Sequence, residues 1–406
     1  MKNNDRNIAY ATEKNDSITN GWKEYRLGDL GNIITGKTPS SKFPDEFGDL
    51  LPFVTPSDFK NYYKWISDSI RFLSNKGVNK LRNKVLPKDS ILVTCIGSDL
   101  GKVAINRLPV ITNQQINSII TNKEVHFEFL YYKLKEAYDY LSNLGNAGTA
   151  VPIINKSTFE EIQLYLPSLP EQKAIAEVLS SLDDKIDLLH RQNKTLEELA
   201  ETLFRQRFID EAEEETIVLG DVVKTTSGGT PSRKHPEYYN GDIKWVKSKE
   251  LKGSFIFNTE EKITNIGLIK SSAKILKKNT ILIAMYGATV GEYGILDDQA
   301  TCNQAICALI PNRHYPYTYL YMYIRMNKES IISKAVGSAQ QNISQVLIKE
   351  LEVSRSLEKI KKYHEDVELL FDKMRINNLQ ILNLQQTRDT LLPKLMSGEA
   401  RVEMIL

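Results

Sequence analysis

Hydrophobic residues along this chain follow two kinds of period, and each kind occurs twice. Short apolar runs that end at a glycine, residues 90–96 and 280–286, predict buried strands. Apolar and aromatic residues at helical spacing then predict helices over residues 127–141 and 317–333. The same order of elements is therefore predicted in both halves of the chain.

Beyond each of these sets the apolar period changes to seven residues, which is the spacing of a coiled coil. In the central segment the d and a positions alternate as Ile175, Leu179, Leu182, Ile186, Leu189, Asn193, Leu196, Ala200 and Leu203. In the C-terminal segment the a and d positions alternate as Ile360, Tyr363, Val367, Leu370, Met374, Asn377, Ile381, Leu384, Arg388 and Leu391. Pro170 and Pro393 lie close to the predicted ends of these two helices, where proline is tolerated.

Two asparagines interrupt the apolar seams, Asn193 and Asn377. In an antiparallel pair, a positions face d positions, so the numbers of facing residues have a constant sum. If Asn193 faces Asn377, that sum is 570, and the neighbouring seam positions between residues 186 and 203 all face apolar partners. We therefore expect the two amides to lie together and to fix the register of the pair.

The similarity of the two halves extends to individual residues. Residues 85–120 align without a gap on residues 275–310, at an offset of 190 and with 11 identities in 36 positions. At an offset of 192, Leu27-Gly28-Asp29 and Gly36-Lys37-Thr38-Pro39-Ser40 recur as Leu219-Gly220-Asp221 and Gly228-Gly229-Thr230-Pro231-Ser232. A repeat of this length indicates a duplicated domain and not a solenoid.

Charge is segregated along the chain, although the net charge is only +2. Residues 22–88 and 224–278 carry net charges of +5 and +7, whereas residues 168–216 carry −7. A phosphate backbone would be attracted to both repeated units and repelled by the segment between them.

The five histidines are scattered and the three cysteines form no CxxC pair. We therefore expect no metal site, and we expect the cysteines to be core residues.

These patterns together predict a duplicated α/β (α+β) chain, with two similar globular units separated by a long antiparallel two-helix coiled coil. The expected segments are a polar N-terminal tail at 1–21, a first unit at 22–167, a central helix at 168–210, a second unit at 211–354, a C-terminal helix at 355–393 and a tail at 394–406. The longest apolar runs are too short to cross a bilayer, so we expect a cytoplasmic protein without a membrane partner.

One stretch matches a catalytic motif. Residues 31–38 read Gly-Asn-Ile-Ile-Thr-Gly-Lys-Thr, which fits the phosphate-loop pattern GxxxxGKT. A phosphate loop opens a helix, however, whereas Pro39 follows here, and the second unit has Val223 and Gly229 in place of the first glycine and the lysine. Only a Gly-x-Thr-Pro-Ser turn is shared, so we expect no catalysis. A phosphate-loop NTPase and a coiled-coil assembly scaffold without DNA readout remain the alternatives.

The order of these motifs resembles the specificity subunit of Type I restriction-modification systems. The resemblance is carried by the paired Leu-Gly-Asp and Gly-x-Thr-Pro-Ser motifs, the paired Gly-x-x-x-Gly and Asn-Gln motifs, and the helix start Leu-Pro-Glu-Gln-Lys-Ala-Ile-Ala at residues 169–176. It extends over residues 22–398, although the C-terminal helix start at 357–361 lacks the proline and the glutamine.

The resemblance implies two target-recognition domains that each read one half of a split double-stranded DNA sequence. It also implies that the helices dock two methyltransferase subunits, which carry S-adenosylmethionine, and through them restriction subunits that use ATP and Mg. The chain itself would be a non-catalytic specificity subunit without a cofactor.

Residues that read DNA are expected where the two units differ and are most basic, at about 41–80 and 233–270. Arg233 is the expected base reader, since a guanidinium fork fits guanine, and most of the others would hold phosphate. The expected contacts are Lys37, Ser40, Lys42, Lys60, Lys64 and Lys76 in the first unit and Ser232, Arg233, Lys234, Lys247, Lys249 and Lys252 in the second.

Overall fold

The computed structural model describes residues 21–61, 64–146, 152–210, 215–333 and 342–403. The chain divides into two compact units, Met1–Asp187 with Asn383–Leu406, and Leu188–Leu382. Each unit consists of one α+β domain and the adjoining parts of two long helices, α5 (Leu169–Phe208) and α10 (Leu357–Ser397).

The first domain is built on a five-stranded sheet in the order β2-β10-β7-β8-β5, which is antiparallel except for the parallel pair β8 and β5. A four-stranded sheet, β3-β6-β4-β9, and the pair β1-β11 complete the domain. The strands are β1 (Lys23–Arg26), β2 (Gly31–Thr35), β3 (Phe47–Gly48), β4 (Leu51–Val54), β5 (Trp65–Ile66), β6 (Phe72–Leu73), β7 (Ile91–Thr94), β8 (Val103–Asn106), β9 (Ile111–Thr112), β10 (Ile116–Thr121) and β11 (Gln163–Leu166). The helices are α1 (Asn75–Lys80), α2 (Phe127–Glu136), α3 (Tyr138–Asn146) and α4 (Lys156–Glu160).

The second domain repeats this topology. Its five-stranded sheet has the order β13-β20-β17-β18-β15, beside a three-stranded sheet β16-β14-β19 and the pair β12-β21. The strands are β12 (Thr216–Val218), β13 (Lys224–Ser227), β14 (Tyr239–Val246), β15 (Ser254–Ile256), β16 (Glu261–Ile263), β17 (Ile281–Ala284), β18 (Tyr293–Leu296), β19 (Thr301–Cys302), β20 (Ile306–Ile310) and β21 (Glu352–Ser354). The helices are α6 (Leu219–Val222), α7 (Asn265–Ile269), α8 (Tyr317–Ser333) and α9 (Gln345–Lys349).

Continuous apolar runs form the central strands because both faces of each five-stranded sheet are covered. All four residues of β7 and of β17 are buried. Hydroxyl and amide side chains start several short helices by accepting a backbone hydrogen bond, as Ser74 does for α1 and Thr264 for α7. The runs predicted at 90–96 and 280–286 are thus confirmed as strands, and the helix predicted at 317–333 is α8. The helix predicted at 127–141 is interrupted at Ala137, between α2 and α3.

The two long helices run antiparallel within each unit. In the second unit, Asn377 Nδ2 on α10 donates to Asn193 Oδ1 on α5, and Tyr363 Oη on α10 donates to the Ala200 carbonyl on α5. In the first unit, Arg388 on α10 pairs with Asp183 on α5 at 2.6 Å. As the residue number increases along α5, the number of the partner residue on α10 decreases. The duplicated α+β architecture with antiparallel helices is therefore confirmed.

The C-terminal helix differs from its predicted end. Pro393 lies inside α10, which continues to Ser397 because its last turn is held by packing. Leu392, Leu395 and Met396 are buried in the core of the first unit, and Ala400 packs against the same core. Residues 398–403 are therefore part of this unit and not a free tail. The predicted tail at 1–21 lies outside the described residues except for Gly21.

Candidate nucleic-acid interface

The shared Gly-x-Thr-Pro-Ser segment is a turn packed against the shared Asn-Gln pair. In the first domain Thr38 Oγ1 donates to Gln114 Oε1 at 2.5 Å. A Cβ atom on Gly36 would lie 2.2 Å from the Asn113 carbonyl oxygen, so only glycine fits this approach. The second domain repeats both features with Thr230, Gln304, Gly228 and Asn303. The duplicated motif therefore builds the same backbone frame twice.

This geometry does not form a phosphate loop. Gly31–Thr35 is the edge strand β2, and the next helical turn in the chain is Pro44–Glu46, eight residues beyond Gly36. A phosphate loop instead leads a buried strand directly into a helix whose N-terminus faces the phosphates. Residues 31–38 are therefore a strand and a turn.

Each frame carries an edge-to-face pair of aromatic rings. The ring centroids of Phe47 and Phe53 are 5.9 Å apart, with an interplanar angle of 78°. Those of Tyr239 and Trp245 are also 5.9 Å apart, at 71°. Trp245 Nε1 donates to the Gly229 carbonyl at 2.9 Å, which links this pair to the repeated turn.

Arg233 lies over the second of these aromatic pairs. Its guanidinium carbon is 4.2 Å from the Tyr239 ring centroid and 5.3 Å from that of Trp245. Its Nη1 lies 2.7 Å from Glu261 Oε2, and 57% of the Arg233 side chain is exposed. The hydrogen bond from Arg233, with a second from Lys247, lowers the pKa of Glu261 to about 2. Arg233 is thus oriented by a ring and a carboxylate yet remains open to a ligand.

The other basic residues near Arg233 are partly neutralised. Lys247 Nζ lies 2.9 Å from both Glu260 Oε2 and Glu261 Oε1, and only 17% of its side chain is exposed. Lys249 Nζ lies 2.7 Å from Glu260. Hydrogen bonds from Lys249 and Lys247 lower the pKa of Glu260. A phosphate group would have to compete with these carboxylates for both lysines.

Most of the predicted contact residues are at the surface. Lys76 in α1 is exposed and pairs with Asp45 at 2.5 Å. Lys60 lies in the helical turn Pro56–Asn61, but its side chain is outside what the structure describes. The remaining exposed candidates are Lys37, Ser40 and Lys42 in the first domain and Ser232, Lys234, Lys249 and Lys252 in the second.

The expectation for Lys64 needs correction. This residue is 2% exposed, and its Nζ lies 2.7 Å from Glu128 Oε1 and 2.8 Å from Ser180 Oγ on α5. The next residue, Trp65, donates to Asp184 on the same helix at 3.0 Å. Lys64 therefore attaches the first domain to α5 and does not face a ligand. A count of basic residues cannot distinguish such a buried lysine from an exposed one.

The sequence reasoning missed Arg71. Its guanidinium carbon lies 4.0 Å from the Phe47 ring centroid and 5.7 Å from that of Phe53. Arg71 is exposed and falls within the basic, divergent stretch at 41–80, but the second unit has no arginine at the corresponding position. The alignment of the two copies therefore does not identify Arg71 as a contact residue.

The two seam asparagines lie together. Asn377 Nδ2 donates to Asn193 Oδ1 at 2.9 Å, and Asn193 Nδ2 donates to Asn378 Oδ1 at 2.9 Å. Asn377 is fully buried, whereas Asn193 is half-buried. The sequence did not identify Asn378, because it lies outside the a and d positions.

Metal-ligating side chains are scattered over the described residues. Among them, no three His, Cys, Asp or Glu side chains are grouped so as to hold an ion. Cys95, Cys302 and Cys307 are buried, and burial raises the pKa of each thiol to about 12. They are core residues, as predicted.

None of the described helices is both long and apolar enough to cross a membrane.

One family of known proteins matches both halves of the chain. Residues 19–198 and 212–383 each match the Type I restriction modification DNA specificity domain. The Type I restriction enzyme MjaIX specificity subunit of Methanocaldococcus jannaschii is 30% identical over 416 residues, which cover 95% of each chain. The HindI specificity subunit of Haemophilus influenzae is 37% identical over 193 residues, covering 46% of this chain and 40% of that protein.

A solved structure has the same fold over nearly the whole chain. The crystal structure of a Type I restriction-modification system S subunit from M. genitalium has a TM-score of 0.62 and 19% identity, and the match covers 96% of this chain and 98% of that one. At this identity the likeness concerns the fold alone.

The chain therefore belongs to the family of Type I restriction-modification DNA specificity subunits. Members of this family are non-catalytic DNA-recognition subunits of a larger complex and have no catalytic cofactor of their own. The resemblance inferred from the duplicated motifs is confirmed.

Proposed function

We propose that this chain reads a bipartite double-stranded DNA target, with one domain for each half-site. The observation that carries the proposal is that the two domains share a backbone frame but present different side chains on it. Gly36 and Gly228 make the same close approach, whereas the exposed residue that follows the repeated Pro-Ser step is Ser41 in the first domain and Arg233 in the second. An identical frame with different groove-facing chemistry suits the reading of two different half-sequences.

The assigned contacts are the exposed residues of the two frames. Lys42 and Lys234 occupy equivalent loop positions two residues beyond the repeated Pro-Ser step of the turn, and both are exposed. Lysines placed in this way would hold phosphate and set the position of each domain on the duplex. Lys37, Ser40, Lys76, Ser232, Lys249 and Lys252 complete the set of proposed contacts.

The two long helices are proposed to dock methyltransferase subunits, and through them restriction subunits. Leu188 on α5 and Ile376 on α10 occupy equivalent c positions of the heptads, and they are 39% and 47% exposed. Leu369 on α10 is 77% exposed. Exposed aliphatic side chains repeated on both helices fit two copies of one apolar protein surface. S-adenosylmethionine, ATP and Mg would be held by those partner subunits.

Co-expression with methyltransferase subunits, followed by co-purification and mapping of methylated bases on genomic DNA, tests this function. We expect a split motif with a fixed spacer. We also expect Leu188→Glu with Ile376→Glu to abolish co-purification, and Thr195→Glu, an exposed c position of α5, to preserve it. A complex that forms but methylates no split motif would favour the scaffold, and ATP binding by the isolated chain would favour the NTPase.

A further inference from the structure

We propose that each recognition domain holds one guanidinium over its aromatic pair as the contact for a guanine edge, supplied by Arg71 in the first domain and Arg233 in the second. The inference rests on the proposed DNA-reading function. It adds a residue, Arg71, that neither the sequence nor the comparisons assign, and it defines a common architecture for the contact.

The two aromatic pairs occupy equivalent places in the fold. Phe53 pairs with Ile111 across parallel strands, and Trp245 pairs with Thr301 in the same way, which preserves the offset of 190 between the aligned segments. The second ring of each pair also has an equivalent strand partner, since Phe47 pairs with Leu73 and Tyr239 with Ile263. The rings are therefore counterparts.

The guanidinium groups occupy equivalent places in space but not in sequence. Arg71 precedes Leu73 by two residues, and the residue at that position in the second domain is Glu261. Arg233 follows the repeated Ser232, and Ser41 stands there in the first domain. Even so, the distances to the two rings are 4.0 and 5.7 Å for Arg71 and 4.2 and 5.3 Å for Arg233.

This difference argues for a functional role. A contact that only stabilised the duplicated fold would be expected at the same sequence position in both copies. Here the copies diverge at both positions and still place a guanidinium on the same rings. A cation–π contact orients the plane of the group while its N–H donors remain at the edge. An oriented fork of this kind is the usual donor to guanine O6 and N7 in the major groove.

The two sites differ in how the fork is held. In the second domain Glu261 accepts a hydrogen bond from Arg233 and so occupies part of its donor edge. In the first domain Arg71 itself takes the place of that carboxylate, so its orientation depends on Phe47. Phe47→Leu should therefore loosen the first site while leaving its charge unchanged.

The test uses the full chain assembled with methyltransferase subunits, with methylation mapped at base resolution. We expect Arg71→Lys to relax one G·C position in one half of the motif and Arg233→Lys to relax one in the other half. Each should reduce discrimination at that position by roughly ten- to a hundredfold. Phe47→Leu should produce a weaker form of the Arg71→Lys result. Arg82→Lys, an exposed arginine of the first domain, is the matched control and should leave the motif unchanged.

Unchanged motifs in both Arg71→Lys and Arg71→Ala, in complexes that remain folded by thermal melting, would overturn the inference and leave the proposed function intact. Uniform weakening across all target sequences would also overturn it, because that result marks a phosphate contact. A wild-type complex that methylates no split motif would instead overturn the proposed function, and this inference with it.

Discussion

Asn377 on α10 donates a hydrogen bond to Asn193 on α5 at 2.9 Å, across 184 residues of sequence. The bond continues into the second domain, because Asn193 donates to Asn378, and Asn378 donates to Ser254 Oγ at the start of β15. One chain of amides therefore joins both helices to the domain that packs on them. A shift of α10 by one heptad would break all three bonds, and a shift of α5 would break the two that involve Asn193, including the bond of the buried Asn377 amide.

Replacement of a single seam asparagine should destabilise the second unit. We expect Asn377→Leu to lower the free energy of unfolding by roughly 1–3 kcal/mol, because Asn193 Oδ1 loses the hydrogen bond from Asn377 Nδ2. Asn193→Leu with Asn377→Leu should cost less than the sum of the single changes. Urea unfolding measures both effects, with Asn383→Leu, at an exposed position of α10, as the control. Strictly additive losses would show that the pair does not act as a unit.

An ion pair attaches the first domain to α5, and an equivalent ion pair with reversed polarity attaches the second domain to α10. Arg107 lies 3.9 Å from Asp187 on α5, and Asp297, its counterpart at an offset of 190, pairs with Arg375 on α10. Asp187 and Arg375 both follow an a position of the heptads by one residue. At this equivalent position the first domain carries the cation and the second domain the anion, and each is complementary to the helix residue that it faces.

Charge reversal at this site should be rescued by a second reversal. Asp297→Arg places two arginines together and should lower stability, and adding Arg375→Asp should restore most of the loss. We expect a coupling energy of up to about 1 kcal/mol, given the partial exposure of the pair. Denaturant unfolding of the four variants measures it. A double variant that is less stable than both single variants would show that the polarity has no role in attachment.

Lys133 should make stability depend on pH in the alkaline range. It is 5% exposed, its Nζ donates to the Met396 carbonyl at 2.8 Å, and burial lowers its pKa to about 8 from a normal value of 10.5. Between these two values the unfolded chain binds more protons than the folded one. The free energy of unfolding should therefore rise with pH in this window, by at most about 1.4 kcal/mol per pH unit.

Comparison with Lys133→Met isolates this contribution. The free energy of unfolding of the wild type minus that of the variant should be constant below about pH 7 and should increase up to about pH 10. Urea unfolding at matched ionic strength measures this difference. A difference that is constant over the whole range would mean that the ammonium keeps its normal pKa in the folded protein.

Lys234 should contribute a phosphate contact. Removing it in Lys234→Ala should weaken binding uniformly across sequences and reduce the slope of log affinity against log salt by roughly one. Lys373→Ala, an exposed lysine on α10, should leave the slope unchanged. Salt titrations of binding to a duplex that carries the mapped motif measure both variants. An unchanged slope in Lys234→Ala would place this lysine away from the DNA.

Periodicity and duplication made the architecture readable from the sequence, because strands, heptads and repeated glycines each leave a local pattern. The seam position of Asn193 and Asn377 followed from arithmetic on the heptads. Contacts between distant segments left no such pattern. Lys64 is buried against Ser180, 116 residues away, and Arg71 contacts the ring of Phe47 on β3.

The site of Arg388 shows the same limit. An arginine at an a position reads as a break in the seam, but Arg388 is paired with Asp183, whose side chain is 1% exposed. Tyr132 Oη also donates to Asp183, at 2.9 Å. The carboxylate that accepts both lies just outside the a and d positions, so the heptad pattern alone does not identify it.

The claim that each domain reads its own half-site is tested most directly by exchanging residues 22–166 for the equivalent segment of a relative with a different motif, followed by methylation mapping of the assembled complex. We predict that one half of the split motif changes to that of the donor, while the other half and the spacer length persist. A change in both halves at once, or a motif that does not change at all, would contradict the account.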